Sequence, residues 1–159
     1  MDRILIAYYS RSGNTEKVAK ALADVAGGSL FRIETSQAYP ADYRQLVVCA
    51  MDEEKKGIVR ELKELPDLEG VQKVFILSPN WFGTFVPPVR TFASMPSLSG
   101  RQVALVLTHG GSGIAKADDD IRRCLPQGAE YLGSLAIRGD GGDAVHTLLS
   151  HWLETSGQK

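Results

Sequence analysis

An α/β fold built on a parallel sheet is what this sequence predicts, on three observations. Apolar runs rich in β-branched residues alternate along the chain with segments of helical periodicity, the pattern of strands joined by crossover helices. Two of those runs, Val74-Phe75-Ile76-Leu77 and Val103-Ala104-Leu105-Val106-Leu107, are apolar at every position, as strands buried on both faces must be. The three loops richest in Gly, Ser, Asn, Trp and His follow the first, third and fourth strands, so a doubly wound sheet gathers them at one edge.

The first strand covers Arg3 to Tyr9, and the first helix runs from Thr15 to Ala26 with Val18, Ala19, Leu22 and Val25 on one face, ending at Gly27-Gly28. A second strand follows at Leu30 to Glu34. Tyr39-Pro40-Ala41-Asp42-Tyr43 makes a turn whose Asp42 caps the next helix, where Tyr43, Leu46, Val47, Ala50 and Met51 share a stripe and Asp52 to Lys56 mark the solvated end. Gly57 to Gly70 has weak periodicity and a proline, and reads as an irregular connector. The third and fourth strands are Val71 to Ser78 and Gln102 to Thr108. Between them Pro87-Pro88 starts a helix through Ala93, since proline is tolerated in a first turn. Helices at Ile114 to Cys124 and Asp143 to Thr155 and a last strand at Tyr131 to Arg138 complete five strands and about five helices.

One domain, residues 1–159, is expected from the length, and 43% hydrophobic with 23% charged residues is ordinary globular composition. A formal net charge of −1 with scattered Lys and Arg predicts no nucleic-acid partner. No apolar run nears the ~20 residues of a membrane span, and no leader pattern is visible, so no membrane association and a cytoplasmic location are expected. Cys49 and Cys124 lack the paired spacing of a zinc or redox motif and read as buried, reduced thiols. Asp118-Asp119-Asp120 falls in the early turns of a helix, where negative charge suits the dipole better than it suggests a metal.

Chemistry concentrates first in Ser10-Arg11-Ser12-Gly13-Asn14-Thr15, between the first strand and first helix. A helix that starts there leaves its first N–H groups unpaired and aimed outward, where an anion can accept them. Gly13 allows close backbone approach, and Ser10, Ser12 and Thr15 add hydroxyls. The loop has no lysine and neither the Gly-Lys-Ser/Thr of triphosphate loops nor Gly-x-Gly-x-x-Gly, so a terminal monophosphate is the expected anion. The blander reading is a capped helix, which would need one hydroxyl where this loop has three.

Four blocks in order carry a resemblance: Tyr8-Tyr9-Ser10-Arg11-Ser12-Gly13-Asn14-Thr15, Tyr39-Pro40-Ala41-Asp42-Tyr43, Pro79-Asn80-Trp81-Phe82-Gly83-Thr84 before Pro87-Pro88-Val89, and Thr108-His109-Gly110-Gly111-Ser112-Gly113. With these the chain resembles the flavodoxin-like family, in a short-chain branch. The resemblance implies a three-layer sandwich around a five-stranded parallel sheet of order 2-1-3-4-5, non-covalent FMN, and electron transfer with a redox partner protein or a small donor or acceptor, a homodimer staying open. By position, Ser10, Arg11, Ser12, Gly13, Asn14 and Thr15 would surround the phosphate. Pro79, Asn80, Trp81, Phe82 and Gly83 would line one side of the isoalloxazine, and Thr108, His109, Gly110, Gly111, Ser112 and Gly113 its other edge.

Within that frame the alternatives at single residues stay open. Arg11 either neutralises the phosphate or points to solvent. Trp81 either covers the flavin, excluding water and disfavouring its anionic reduced form, or is a surface-loop aromatic folded onto the domain or the core of a protein interface. Gly83 and its neighbours can bring a peptide group to the flavin N5. His109 is either satisfied by backbone or acts near the pyrimidine end of the ring. Ser12 replaces the threonine of many flavodoxins and keeps the hydroxyl, while the last loop lacks an aromatic, leaving Trp81 to stack alone. Dedicated carriers are strongly acidic and this chain is not, so an FMN-dependent NAD(P)H:quinone or small-acceptor reductase stands beside the electron carrier, with a non-redox binding module third.

Overall fold

The computed structural model describes residues 3–56 and 60–156. Five parallel strands, β1 (Arg3–Tyr8), β2 (Ser29–Arg32), β3 (Val71–Trp81), β5 (Gln102–His109) and β6 (Glu130–Arg138), are ordered β2-β1-β3-β5-β6, and a short β4 (Thr84–Phe85) pairs antiparallel with the end of β3. Without β4 this is the expected 2-1-3-4-5 order. Helices α1 (Asn14–Ala26), α2 (Tyr43–Lys56), α3 (Pro87–Ala93), α4 (Ala117–Cys124) and α5 (Val145–Thr155) complete the fold.

Alternation along the strands sorts the core into two layers. Ile6, Tyr8, Phe75, Leu77, Ala104 and Val106 face α1 and α5 through Val18, Leu22, Leu149 and Trp152. Leu5, Ala7, Val74, Ile76, Val103 and Leu105 face α3 and α4 through Val89, Phe92 and Ile121. The two all-apolar runs therefore lie in the middle of the sheet, with every residue from Val74 to Leu77 and from Val103 to Leu107 buried.

Departures from the sequence reading have local causes. The third strand continues past Ser78 to Trp81 and folds back through Phe82-Gly83, where both residues have positive φ (59° and 87°), as a two-residue hairpin turn requires. An Asn-Gly pair would have announced that turn; a Phe in the left-handed region does not. Left-handed Gly113 and Ala115 (φ 70° and 47°) delay α4 to Ala117. The last helix opens as a 3-10 turn over Gly142–Ala144. Asp42 caps α2 as expected, its Oδ1 accepting the Gln45 N–H at 3.1 Å. Of that helix's apolar stripe only Leu46 and Ala50 are buried, while Tyr43 is 67% and Met51 44% exposed. The end assigned to solvent contains a buried carboxylate, Glu53, 6% exposed. Residues 57–59 of the expected connector lie outside the described residues; beyond them Leu62 bridges antiparallel to Thr35. Cys49 and Cys124 are free thiols, part-buried, each facing an arginine: Arg60 Nη2 lies 3.3 Å from Cys49 Sγ and Arg90 Nη1 3.3 Å from Cys124 Sγ.

The acidic run in α4 is structural. Asp118 accepts hydrogen bonds from the Tyr131 hydroxyl (2.6 Å), Ser134 Oγ (2.9 Å) and Arg122 Nε (3.1 Å), and Asp120 accepts from Arg123 at 2.8 Å. Among the described residues no group of three or more His, Cys, Asp or Glu is placed to hold a metal ion, and no helix is long and apolar enough to cross a membrane. Burial opposes ionisation of Asp118, but the bonds from Tyr131, Ser134 and Arg122 outweigh it and hold the carboxyl below the usual carboxylate range. A depressed folded pKa contributes stability that is complete above the unfolded value and is lost as pH falls through the folded one. Asp118→Asn should accordingly be least stable relative to wild type near neutral pH, with the gap in melting temperature closing below about pH 4. A gap independent of pH would rule this out.

Candidate functional site

The three polar loops meet at the carboxyl edge of the sheet and are joined by specific contacts. Between β1 and α1, Gly13 occupies the N-cap with φ 99°, a left-handed value that glycine adopts without strain, and no side chain caps the helix. The first-turn amides of α1 thus have no intrahelical acceptor. Ser10 is buried, its Oγ accepting the Gly13 N–H at 3.1 Å and its carbonyl accepting Arg32 Nη2 at 3.0 Å, so it shapes the loop from within. Ser12 and Asn14 are exposed. Thr15 is buried and its Oγ1 lies 2.7 Å from Thr108 Oγ1, which ties the start of α1 to the end of β5.

Charge around this loop suits an anion. The acidic side chain in the first turn of α1, Glu16, is neutralised by Arg32 (2.9 Å) and Lys20 (3.2 Å), whose hydrogen bonds, Lys20 first and Arg32 second, hold its carboxyl below the usual range. Arg11 is engaged elsewhere: Nη2 donates to the Ala41 carbonyl at 3.2 Å and the guanidinium sits 5.6 Å from the Tyr43 ring centroid. The groups available at the loop, the first-turn helix amides with the hydroxyls of exposed Ser12 and of Thr15, the latter shared with Thr108, fit a phosphate monoester by their chemistry.

Trp81, at the end of β3, is half-buried against two rings the sequence reading left without a role there, Tyr9 (centroids 5.8 Å apart, planes at 88°) and Tyr39 (5.4 Å, 82°). Phe82 is 41% exposed at the hairpin tip. Asn80 joins the second and third loops: its Nδ2 donates to Ser112 Oγ (3.0 Å) and the Gly113 carbonyl (3.4 Å), and its Oδ1 accepts the Gly83 N–H (2.9 Å). Gly83 also has its carbonyl engaged, by the Lys116 N–H at 2.8 Å, so both its peptide groups serve the loop itself. The carbonyl of Pro79 accepts a bond from Ser78 Oγ at 2.8 Å.

His109 takes the backbone-satisfied arrangement. Its Nδ1 accepts the N–H groups of Gly111 (3.0 Å) and Gly113 (3.1 Å), which assigns the ring proton to Nε2. The Gly111 and Gly113 amides are therefore spent on the ring, while Gly110 and Ser112 are exposed. His146 pairs with Asp24 at 3.0 Å and His151 is exposed, both on α5. Tyr9 and Tyr39, which the sequence offers only within two of the blocks of resemblance, meet the Trp81 ring, and Glu53 and Arg60, which no motif marks, stand behind Tyr39.

A flavodoxin family model matches residues 3–156. A search of curated proteins returns no match. Among solved structures the chain is similar to a candidate flavoprotein from Bacteroides eggerthii, at 24% identity and TM-score 0.83 over 100% of both chains. It is similar to a flavoprotein from Lactobacillus acidophilus solved in complex with FMN, at 25% identity and TM-score 0.73, over 88% of this chain and 95% of that one. Flavodoxin 2 from Bacillus cereus follows at 18% identity and TM-score 0.61, over 98% of each chain. With its strand order, its loop-to-helix cradle and a match over nearly its whole length, the chain belongs to the flavodoxin family.

Proposed function

We propose that this protein binds FMN non-covalently across the three loops and moves electrons between redox partners. The observation that carries the reading is the start of α1: an uncapped helix entered through a left-handed Gly13, with hydroxyls beside it and its first-turn carboxylate, Glu16, neutralised. The family match and the FMN complex of the Lactobacillus relative support the choice of FMN over other phosphate monoesters. Bound there, the isoalloxazine supplies the one- and two-electron chemistry. The chain's residues bind and orient: the α1 amides with Ser12 and Thr15 hold the phosphate, Trp81 excludes water from one side of the ring, and the loop over Thr108 to Gly113 closes the other edge through exposed Gly110 and Ser112.

An absorption spectrum tests this. Purified protein should show flavin bands, or acquire them at near unit stoichiometry on adding FMN; a colourless protein that ignores FMN would leave only a non-redox module. The carrier form of the reading expects reduction in two resolved one-electron steps with negligible oxidation of NAD(P)H. One observation favours a reductase instead: a cavity of about 180 Å³ beside Trp81, lined by Tyr43, Leu46, Val47, Ala50, Asn80 and Phe82, offers a recess with mixed polar and apolar walls against which part of a small acceptor such as a quinone could rest. Rapid NAD(P)H oxidation that depends on added quinone would select it.

A further inference from the structure

We propose that Glu53, Arg60 and Tyr39 form a positioning unit that sets the angle of the Trp81 indole at the crevice, a role resting on the reading of Trp81 as a wall of the FMN site. Glu53 is the starting point. A carboxylate 6% exposed on a helix that could have kept it in water needs strong partners, because burying an unpaired charge costs several kcal/mol. Both its oxygens have them: Oε2 accepts the Tyr39 hydroxyl at 2.7 Å, and Oε1 accepts Arg60 Nε.

Arg60 closes the unit. Its guanidinium lies 3.9 Å from the Tyr39 ring centroid, a cation–π contact, while Nη1 donates to the Gln37 carbonyl at 2.7 Å and Nη2 reaches Cys49 Sγ at 3.3 Å. Tyr39 is thereby fixed at its hydroxyl by a carboxylate and at its ring by a cation, and it meets Trp81 in an edge contact at 5.4 Å. Burial first, then the bond to Glu53, raises the Tyr39 pKa well above its ordinary value, so the phenol stays a donor. Tyr9, just beyond β1, meets the indole at 88° and lies 6.5 Å from Tyr39, so Trp81 belongs to a three-ring cluster of which one member is immobilised by the buried ion pair. The indole also packs against the core on the α3–α4 side, and beside an exposed, left-handed Phe82 the two tyrosines are the rings that meet it edgewise. The unit holds the Tyr39 edge in place before any cofactor arrives.

Incorporation of 5-fluorotryptophan gives one 19F resonance for each of the two indoles, Trp81 and Trp152, assigned with Trp81→Phe. In cofactor-free protein, Glu53→Gln and Tyr39→Leu should each shift or broaden the Trp81 line and leave Trp152 unmoved. Glu53→Gln should add nothing in a Tyr39→Leu background, because its effect passes through that ring. Tyr39→Phe, which removes one oxygen, should give an intermediate change and keeps the question answerable should Glu53→Gln fail to fold. FMN affinity should fall about fivefold in Tyr39→Leu. An unmoved Trp81 line in both Tyr39 variants, or a full Glu53→Gln effect without Tyr39, overturns the proposal while the FMN reading stands. If Trp81→Ala itself binds FMN as wild type does, the wall reading fails and the positioning role fails with it.

Discussion

The double variant Ser12→Ala, Thr15→Ala should bind FMN about a hundredfold more weakly than wild type while its affinity for riboflavin changes by less than about threefold. Two charge-assisted hydrogen bonds to a dianion are lost, each contributing on the order of 1.5–3 kcal/mol, and each 1.4 kcal/mol is roughly a factor of ten. The α1 amides remain, so the loss stops short of abolishing binding. Riboflavin has no phosphate and is the internal control. Thr15 complicates the experiment in a way the structure makes explicit, since its hydroxyl also pairs with buried Thr108 Oγ1 at 2.7 Å. Thr15→Ala leaves that group without its partner, at a cost to folding of about 1–3 kcal/mol. Thr15→Ser keeps the hydroxyl and should recover most of the FMN affinity. Titration of both flavins by fluorescence quenching measures the difference, and equal losses for FMN and riboflavin would contradict the phosphate assignment.

Phe75→Ala should lower the unfolding free energy by about 3–5 kcal/mol, a large part of the ~5–15 kcal/mol that holds a domain folded. The ring is fully buried at the centre of β3, with β1 and β5 on either side and Trp152 of α5 6.0 Å away at 61°. Its removal empties a space that three strands and two helices enclose, and none can close in without breaking its own ladder or packing. Leu148→Ala, at a residue 47% exposed on α5, is the matched control and should cost less than about 1 kcal/mol. Urea unfolding of the three proteins gives both numbers. A loss below 1 kcal/mol for Phe75→Ala would mean that the α1–α5 side of the sheet is not close-packed.

The middle of the fold was legible because its signals are local. An apolar run such as 103–107 can satisfy itself in few ways, and Pro87-Pro88 marks the start of α3 at the residue where the structure begins it. The loop from Ser10 to Thr15 is legible as the entry to α1 for the same reason, being six consecutive residues. What escaped depends on partners distant in the chain. Glu53 stands among charged neighbours and looks solvated, and only Tyr39 from 14 residues before and Arg60 from 7 residues after make its burial tolerable. Asn80 was placed on the flavin side, yet its carboxamide is spent on Gly83, Ser112 and Gly113, a use that requires knowing that β3 and β5 are neighbours. His109 is similar: the sequence leaves two readings open, and the backbone-satisfied one follows only once the loop brings the Gly111 and Gly113 amides to the ring nitrogen.

The touching alcohols of Thr15 and Thr108 couple the loop that opens α1 to the loop that follows β5. An oxygen that gives its proton outward to a guest must take the neighbour's in return, and that exchange polarises both bonds together. Occupying the tail end of the crevice should therefore stiffen the far rim, and the two halves of the cofactor should prove worth more joined than the sum of their separate affinities.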